Sequence, residues 1–122
     1  MIIGEVNSNR EATVALTIVG LERSERILCV IDTGFSGYLS LPPSVVTALG
    51  LPFFGTAKYE LGDGQEVTFS VHTGSVNWDG EARDIFVLSS NGGELIGMQL
   101  LHGHRLNIDV TDGGEVRIER RS

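Results

Sequence analysis

The sequence has little cysteine, few basic residues and no long apolar run. Its one cysteine, Cys29, has no partner, which excludes an internal disulfide. Nine Lys and Arg against sixteen Asp and Glu give a net charge of −7, which disfavours binding to nucleic acid or to anionic lipid. No apolar run approaches the roughly 20 residues that a membrane-spanning helix needs.

The beginning of the sequence does not resemble a targeting segment. Residues 1–5 contain no basic region followed by an apolar stretch, so no signal peptide is expected. We therefore expect a cytoplasmic protein that has no membrane or nucleic-acid partner. The 122 residues, of which 41% are hydrophobic, suffice for one compact domain spanning residues 1–122.

Glycine, in contrast, is abundant. Sixteen glycines in 122 residues are about twice the usual share of roughly 7%, which indicates many tight turns and a β-rich fold. Residues 13–19 alternate between apolar and polar side chains and predict a half-buried strand. Residues 27–31 are apolar at every position and predict a strand buried on both faces. Short helices are predicted at 42–50 and 98–102.

The middle of the sequence predicts a hairpin. Residues 57–61 and 67–71 both alternate, and a glycine-rich segment, 62–65, separates them. Residues 85–88 then predict another apolar strand, and alternation near the end of the sequence predicts two more strands. No linker divides the chain, so these elements belong to one domain.

Asp32 directly follows the apolar run. A carboxylate in this place loses hydration at a cost of several kcal/mol unless partners are supplied. Thr33 and Gly34 offer a hydroxyl group, backbone donors and room for a close backbone approach. Asp-Thr-Gly alone also suits an ordinary β-turn, in which the aspartate side chain bonds to the backbone. The tripeptide alone therefore does not distinguish a catalytic site from an ordinary turn, and the surrounding residues are needed for that distinction.

Several segments together resemble the retropepsin-like family of aspartic proteases. They have the types and the order found in that family: Val30-Ile31-Asp32-Thr33-Gly34 followed by Ser36, a glycine-tipped hairpin at 59–69, an apolar strand at 85–88, Leu95-Ile96-Gly97, and a short helix at 98–102 before a last strand. The resemblance covers residues 10–120. It implies a mainly β, closed barrel-like acid-protease fold with a flap hairpin and one or two short helices.

The resemblance also implies roles for the residues of the Asp32 loop. Asp32, Thr33 and Gly34 would be the catalytic residues, with Thr33 bonding across a dimer axis and Gly34 letting the backbone lie near the substrate. Ser36 would donate a hydrogen bond to the outer oxygen of Asp32.

Residues outside this loop receive supporting and substrate-binding roles. Ile96 and Gly97 would pack beneath the loop and have no chemical role. The flap residues would close over the peptide and bind its backbone by strand addition; they are Tyr59, Leu61, Gly62, Asp63 and Gly64.

The implied chemistry requires two carboxylates. One ionised carboxylate activates water as a general base, while a protonated partner polarises the peptide carbonyl as a general acid. The chain has one Asp-Thr-Gly, and its other aspartates, such as Asp84, Asp109 and Asp112, lack this context. The second carboxylate must then be Asp32 of another copy, which predicts a homodimer acting on a peptide or protein substrate. No metal and no cofactor are expected.

Three features depart from the viral members of the family. Phe35 stands where a small residue is common, residues 42–50 add a helix, and Asp63 places a charge at the flap tip. Two alternatives therefore stay open. The chain could be an inactive module that uses the same fold to bind or dimerise, or an unrelated small β-barrel in which Asp32 is a turn residue.

Other reactive or aromatic residues have simpler interpretations. His102 and His104 have no third ligand in register, so no metal site is predicted. Residues 109–115 do not have the spacing of a calcium loop and predict a hairpin turn. Cys29 lies in the middle of a strand and has no local base, which predicts an unreactive core thiol. Trp78 fits either the core or the substrate cleft.

Overall fold

The computed structural model describes residues 1–60 and 62–122, and this part of the chain forms ten strands and two helices. The strands are β1 (Ile2–Val6), β2 (Ala12–Val19), β3 (Ser24–Ile31), β4 (Leu39–Leu41), β5 (Phe53–Glu60), β6 (Glu66–Trp78), β7 (Glu81–Ser89), β8 (Leu95–Ile96), β9 (His104–Ile108) and β10 (Glu115–Arg120). The helices are α1 (Pro43–Leu49) and α2 (Met98–Leu101). Neither has the length and apolar character needed to cross a membrane, nor does any other part of the described residues form such a helix.

Six of the strands close into a barrel. They neighbour one another in the order β2, β3, β8, β4, β7, β6, and β6 returns to β2 through pairs such as Ile18 with Val76. The β3–β8 and β4–β7 pairs are parallel, and the other pairs of the ring are antiparallel. The predicted mainly β fold with a closed barrel and short helices is confirmed at this level.

The remaining strands extend the barrel on two sides. β5 adds to β6 to form the predicted hairpin, and residues 62–65 lie between these two strands. β1 pairs with β2 and with β10, and β9 pairs with β10. The first and last strands therefore belong to one sheet within a single chain.

The core follows from the alternation along the strands. In β2, Val14, Leu16 and Ile18 are buried inside the barrel, as their spacing predicts. In α1, Val46 and Leu49 face the same core. The helix begins after Pro42 and ends at Gly50, whose φ of 69° is the left-handed conformation that favours glycine. The predicted helix at 42–50 is therefore confirmed.

The prediction that residues 27–31 are buried on both faces is wrong. Cys29 is completely buried, but Leu28 is 61% exposed. A strand that is apolar throughout is buried on both faces where helices cover the sheet. Here the only helices of the described residues are two short ones, and the outer face of β3 at Leu28 remains open. Burial in β3 therefore alternates.

Candidate active site

Asp32 lies at the end of a barrel strand and is held there by β8. Ile31 pairs in parallel with Ile96, and the backbone N–H of Asp32 donates to the carbonyl of Ile96 at 2.9 Å. β8 also pairs with β4 on its other side. The loop from β3 to β4, residues 32–38, therefore passes around the end of β8, and Asp32 is the first residue of this loop.

The carboxylate of Asp32 is partly exposed and takes its hydrogen bond from within the loop. The backbone N–H of Gly34 donates to Oδ1 of Asp32 at 2.9 Å. The N–H of Phe35 donates to the Asp32 carbonyl at 3.1 Å. Within the described residues of this single chain, Ser36 makes no hydrogen bond to Asp32, so the predicted Ser36 contact is not formed here. The hydrogen bond that the carboxylate does accept comes from the backbone amide of Gly34.

Two glycines allow this loop to pack closely against β8. A Cβ atom on Gly97 would lie 2.1 Å from the carbonyl oxygen of Gly37 and 2.7 Å from Cδ2 of Phe35. A Cβ atom on Gly37 would lie 2.6 Å from Cζ of Phe35. The Phe35 ring therefore fits only because both neighbours are glycine. Ile96 is buried below the loop, and the N–H of Gly97 donates to the carbonyl of Tyr38 at 3.0 Å.

The side of the loop that faces away from β8 is exposed to solvent. Thr33, Gly34 and Ser36 are all exposed. Thr33 and Ser36 line a groove together with Met98 of α2, whose side chain is exposed as well. The loop is therefore packed from below by β8 and uncovered on the face that carries Thr33.

A second groove, apolar and about 310 Å³ in volume, lies between the loop and the β5–β6 hairpin. Its lining comes from residues 35–39, from Gln99 of α2 and from residues of β5, β6 and β7. Every lining residue in the described part of the chain is uncharged. The groove thus offers an apolar surface next to the Asp32 loop.

Tyr59 connects the hairpin to the Asp32 loop. Its ring centroid lies 6.4 Å from that of Phe35 and 5.9 Å from that of Phe69. Among the residues predicted to form a flap, Tyr59 therefore reaches the loop and lines the apolar groove.

The hairpin tip, in contrast, stands free of the rest of the described chain. A Cβ atom on Gly62 or on Gly64 would meet no atom within 4 Å. Asp63 is exposed, and its Oδ1 accepts the backbone N–H of Gln65 at 3.0 Å, which stabilises the turn. Leu61, also predicted as a flap residue, lies outside the described residues.

Several residues considered in the sequence lie away from this site. Trp78 is fully buried, and its Nε1–H donates to Nε2 of His104 at 3.1 Å, so core packing is its role. Cys29 is buried, and desolvation, with a smaller contribution from Glu94, raises the pKa of its thiol to about 12. Within the described part of the chain, no group of three or more His, Cys, Asp or Glu side chains is placed to hold a metal ion.

Besides Phe35, three aromatic residues that line the apolar groove are not among the predicted site residues: Tyr38, Phe54 and Phe86. Phe86 was interpreted only as part of an apolar strand. The alternation rule does not identify Phe54, because it leaves one of two successive strand residues outside the core, whereas Phe53 and Phe54 are both exposed.

Comparison with known proteins does not assign a function to this site. No protein-family model and no curated protein matches the chain. A function has to be inferred from the arrangement of the chain's own residues.

Proposed function

We propose that the chain is one subunit of a homodimeric aspartic endopeptidase of the retropepsin-like kind, to which each copy contributes Asp32. The main support for this proposal is the way in which the Asp32 loop packs against β8. The carboxylate follows a barrel strand, its backbone is held by Ile96, and Gly97 allows the loop to approach β8 closely. An aspartate in a plain surface turn needs none of these contacts.

Proton sharing between two Asp32 side chains would provide the chemistry. Two carboxylates about 3 Å apart do not readily ionise together, so such a pair holds one proton between them. The ionised one removes a proton from water as the water oxygen attacks the peptide carbonyl carbon, and the protonated one donates to the carbonyl oxygen. Collapse of the tetrahedral intermediate breaks the C–N bond. The amine nitrogen takes the proton that the first carboxyl received from water, and the intermediate's hydroxyl returns its proton to the second carboxylate as the new carboxyl group forms.

The open face of the loop supports a dimer. Thr33 and Gly34 are exposed beside Asp32, and the exposed Met98 adds an apolar contact surface to the same region. A second copy related by a twofold axis would cover this face and bring its own Asp32 to the first. One chain alone has one Asp-Thr-Gly, which leaves the general acid or the general base missing.

The apolar groove and the hairpin support a peptide substrate. β5 is at the end of the strand order, so one of its edges has no neighbouring strand among the described residues. An extended peptide can bind such an edge through its backbone while its side chains occupy the groove. The hairpin would then act as the flap.

The first test is cleavage of a peptide library between pH 4 and 7, analysed by mass spectrometry. We expect the wild-type protein to cut and Asp32→Asn to lose about 10²- to 10⁴-fold in rate, because the amide cannot act as a general base. Asp112→Asn is the matched control, since it makes the same chemical change at an exposed turn aspartate. Equal cleavage by wild type and Asp32→Asn would remove Asp32 from the mechanism.

The second test asks whether two copies share one site. Wild-type and Asp32→Asn chains are mixed in different ratios at constant total concentration, and subunits are allowed to exchange. Activity should fall with the square of the wild-type fraction, because a mixed dimer holds one carboxylate. A linear decrease would indicate that each chain acts alone, and sedimentation should then find a monomer.

A binding or dimerisation module without turnover is the second candidate. The contact between Phe35 and Tyr59 favours it, because it holds a bulky ring beside the Asp32 loop. In that case the dimer would persist, no peptide would be cut, and a pepstatin-like inhibitor would not raise the melting temperature. Cleavage that depends on Asp32 would exclude this candidate.

A further inference from the structure

The first part of β3 has an edge that no other described strand covers. β3 runs from Ser24 to Ile31, and β2 pairs with it on one side along most of this length. On the other side, β8 pairs only with Val30 and Ile31. Residues 24–29 therefore have a free edge within the described part of the chain.

The edge is free because the chain turns just before β8. Residues 91 and 92 form a turn, and Gly93 has a φ of 98°, a conformation that favours glycine. The carbonyl of Glu94 accepts the backbone N–H of Val30 at 2.8 Å, and among the described residues nothing before Glu94 in this segment bonds to the backbone of β3. The turn thus ends the pairing at Val30.

The unpaired backbone groups of this edge belong to Arg26 and Leu28. The N–H groups of Val30 and Asp32 both point to the β8 side, where they donate to carbonyl groups. Because backbone groups alternate along a strand, the N–H and C=O groups of Arg26 and Leu28 point to the same side. They have no backbone partner among the described residues. Such an edge is a template for one more strand.

The side chains beside the free edge indicate what an added strand should carry. Leu28 is 61% exposed and lines an open depression of about 500 Å³. Other residues that line it include Ile3, Glu5, Ala15 and Arg26. Arg26 is exposed and makes no ion pair within the described residues. Because opposed apolar pairs and opposite charges stabilise neighbouring strands, an apolar residue is favoured opposite Leu28 and an acidic one opposite Arg26.

We propose that residues 24–29 of β3 bind an extended segment of another protein, which adds as a strand and carries an apolar and an acidic residue two positions apart. The spacing follows from β3, where Arg26 and Leu28 lie on one face. A second copy of β3 fits less well, because the residues on this face, Ser24, Arg26 and Leu28, include no carboxylate. The proposal does not depend on the peptidase function, since the Asp32 carboxylate takes no part in it.

The test is a selection from a phage-displayed library of random peptides. The library is bound to Asp32→Asn, which prevents cleavage, and the bound phage are depleted on Asp32→Asn combined with Leu28→Asp, after thermal melts have confirmed folding. The depletion removes peptides that bind at any other surface. We expect the remaining peptides to share an apolar residue and Asp or Glu two positions away. If no peptide survives, or the survivors lack the acidic residue, the proposal is wrong.

The affinity of synthetic copies of the survivors gives the size of the effect. Binding measured by fluorescence anisotropy should weaken about tenfold or more in Leu28→Asp. Leu21→Asp is the matched control, because Leu21 is 80% exposed but lies in the loop before β3, and it should bind as the parent does. Equal weakening in both variants would show an effect of added negative charge and would contradict the proposal.

Two further measurements test the charge and the location. A selection on Arg26→Glu should replace the acidic residue by Lys or Arg, whereas Arg23→Glu should leave it unchanged, since Arg23 already pairs with Glu25. Amide hydrogen exchange of Arg26 and Leu28 should slow when the peptide is bound. Unchanged exchange would place the peptide elsewhere. A wild-type dimer that Leu28→Asp dissociates in sedimentation would assign the edge to a second copy and overturn the proposal.

Discussion

Two aspartates of this chain make the same local hydrogen bond in different surroundings. Oδ1 of Asp32 accepts the N–H of Gly34, and Oδ1 of Asp63 accepts the N–H of Gln65, in each case two residues further on. Asp63 is exposed at the hairpin tip, whereas Asp32 is partly buried at the end of β3. The turn hydrogen bond is common to both, so it is the packing beneath the turn that separates a candidate site from an ordinary turn.

The glycines near the two aspartates differ in the same way. Glycine is required at Gly37 and Gly97 because a Cβ atom there would lie less than 3 Å from neighbouring atoms. A Cβ atom on Gly62 or Gly64 would face open space. The Asp32 loop is therefore fixed by its neighbours, and the hairpin tip is fixed by its own turn. Substitutions and labelling should distinguish these two regions.

Chemical labelling is expected to give the largest contrast. The pKa of the Cys29 thiol rises from 9.0 to about 12, so near pH 8 its reactive thiolate is about a thousandfold less populated than that of an unperturbed thiol. In a Gly62→Cys variant, Ellman's reagent should modify the thiol at the tip at least that much faster than Cys29. Similar rates at both positions would contradict the burial of Cys29 in the core.

The same pKa shift sets a pH dependence of stability. The folded state keeps the thiol neutral, so the contribution of Cys29 is complete below about pH 9 and is lost as the pH rises from 9 towards 12. Urea unfolding at pH 8 and at pH 10.5 should show a larger loss for wild type than for Cys29→Ala. An equal loss in both proteins would indicate that the thiol is solvated.

Gly97→Ala should produce the largest loss of stability at neutral pH. The new methyl group would meet a backbone oxygen at 2.1 Å, and a backbone carbonyl cannot rotate away as a side chain can. We expect a decrease of about 3 kcal/mol or more in the free energy of unfolding. Gly62→Ala at the tip is the control, and a comparable decrease there would remove the distinction between the two regions.

Gly37→Ala should have an intermediate effect that depends on Phe35. The atoms that a Cβ would meet belong to the Phe35 ring, at 2.6 and 2.8 Å, so removing the ring should relieve the clash. A double-mutant cycle with Phe35→Ala should give a coupling energy of about 1 kcal/mol or more. Additive effects would place the ring elsewhere.

Gly64→Ala should have the smallest measurable effect. The φ of Gly64 is 85°, a left-handed conformation that disfavours alanine by about 1 kcal/mol. Gly62, which has no such φ, should tolerate alanine within about 0.5 kcal/mol. Thermal unfolding of the two variants measures the difference, and the reverse order would indicate another tip conformation.

The strands with clear alternation could be predicted from the sequence because burial on one face dictates their pattern. β2 and the β5–β6 hairpin are of this kind, and α1 has the corresponding helical pattern. The exposure of Leu28 could not be predicted, since it depends on which elements cover β3 in space. The closure of β2 onto β6 also depends on contacts between distant residues, which leave no local pattern.

The Asp32 loop could be identified from its motif, whereas the groove beside it could not. The place of Phe54 depends on a bulge between Phe53 and Gly55, and an extra residue in a ladder leaves no mark on a single sequence. The same limit applies to Ser36, because its distance from Asp32 depends on the geometry of a turn rather than on residue type.

Strand β8 comes late in the chain, yet its residue Ile96 holds the backbone of Asp32. A growing chain in which residues 95–97 have not yet emerged from the ribosome lacks the contacts that hold the Asp32 loop. Competence for the proposed chemistry therefore requires residues 95–97, and a chain that stops before residue 95 would lack the backbone partner of Asp32.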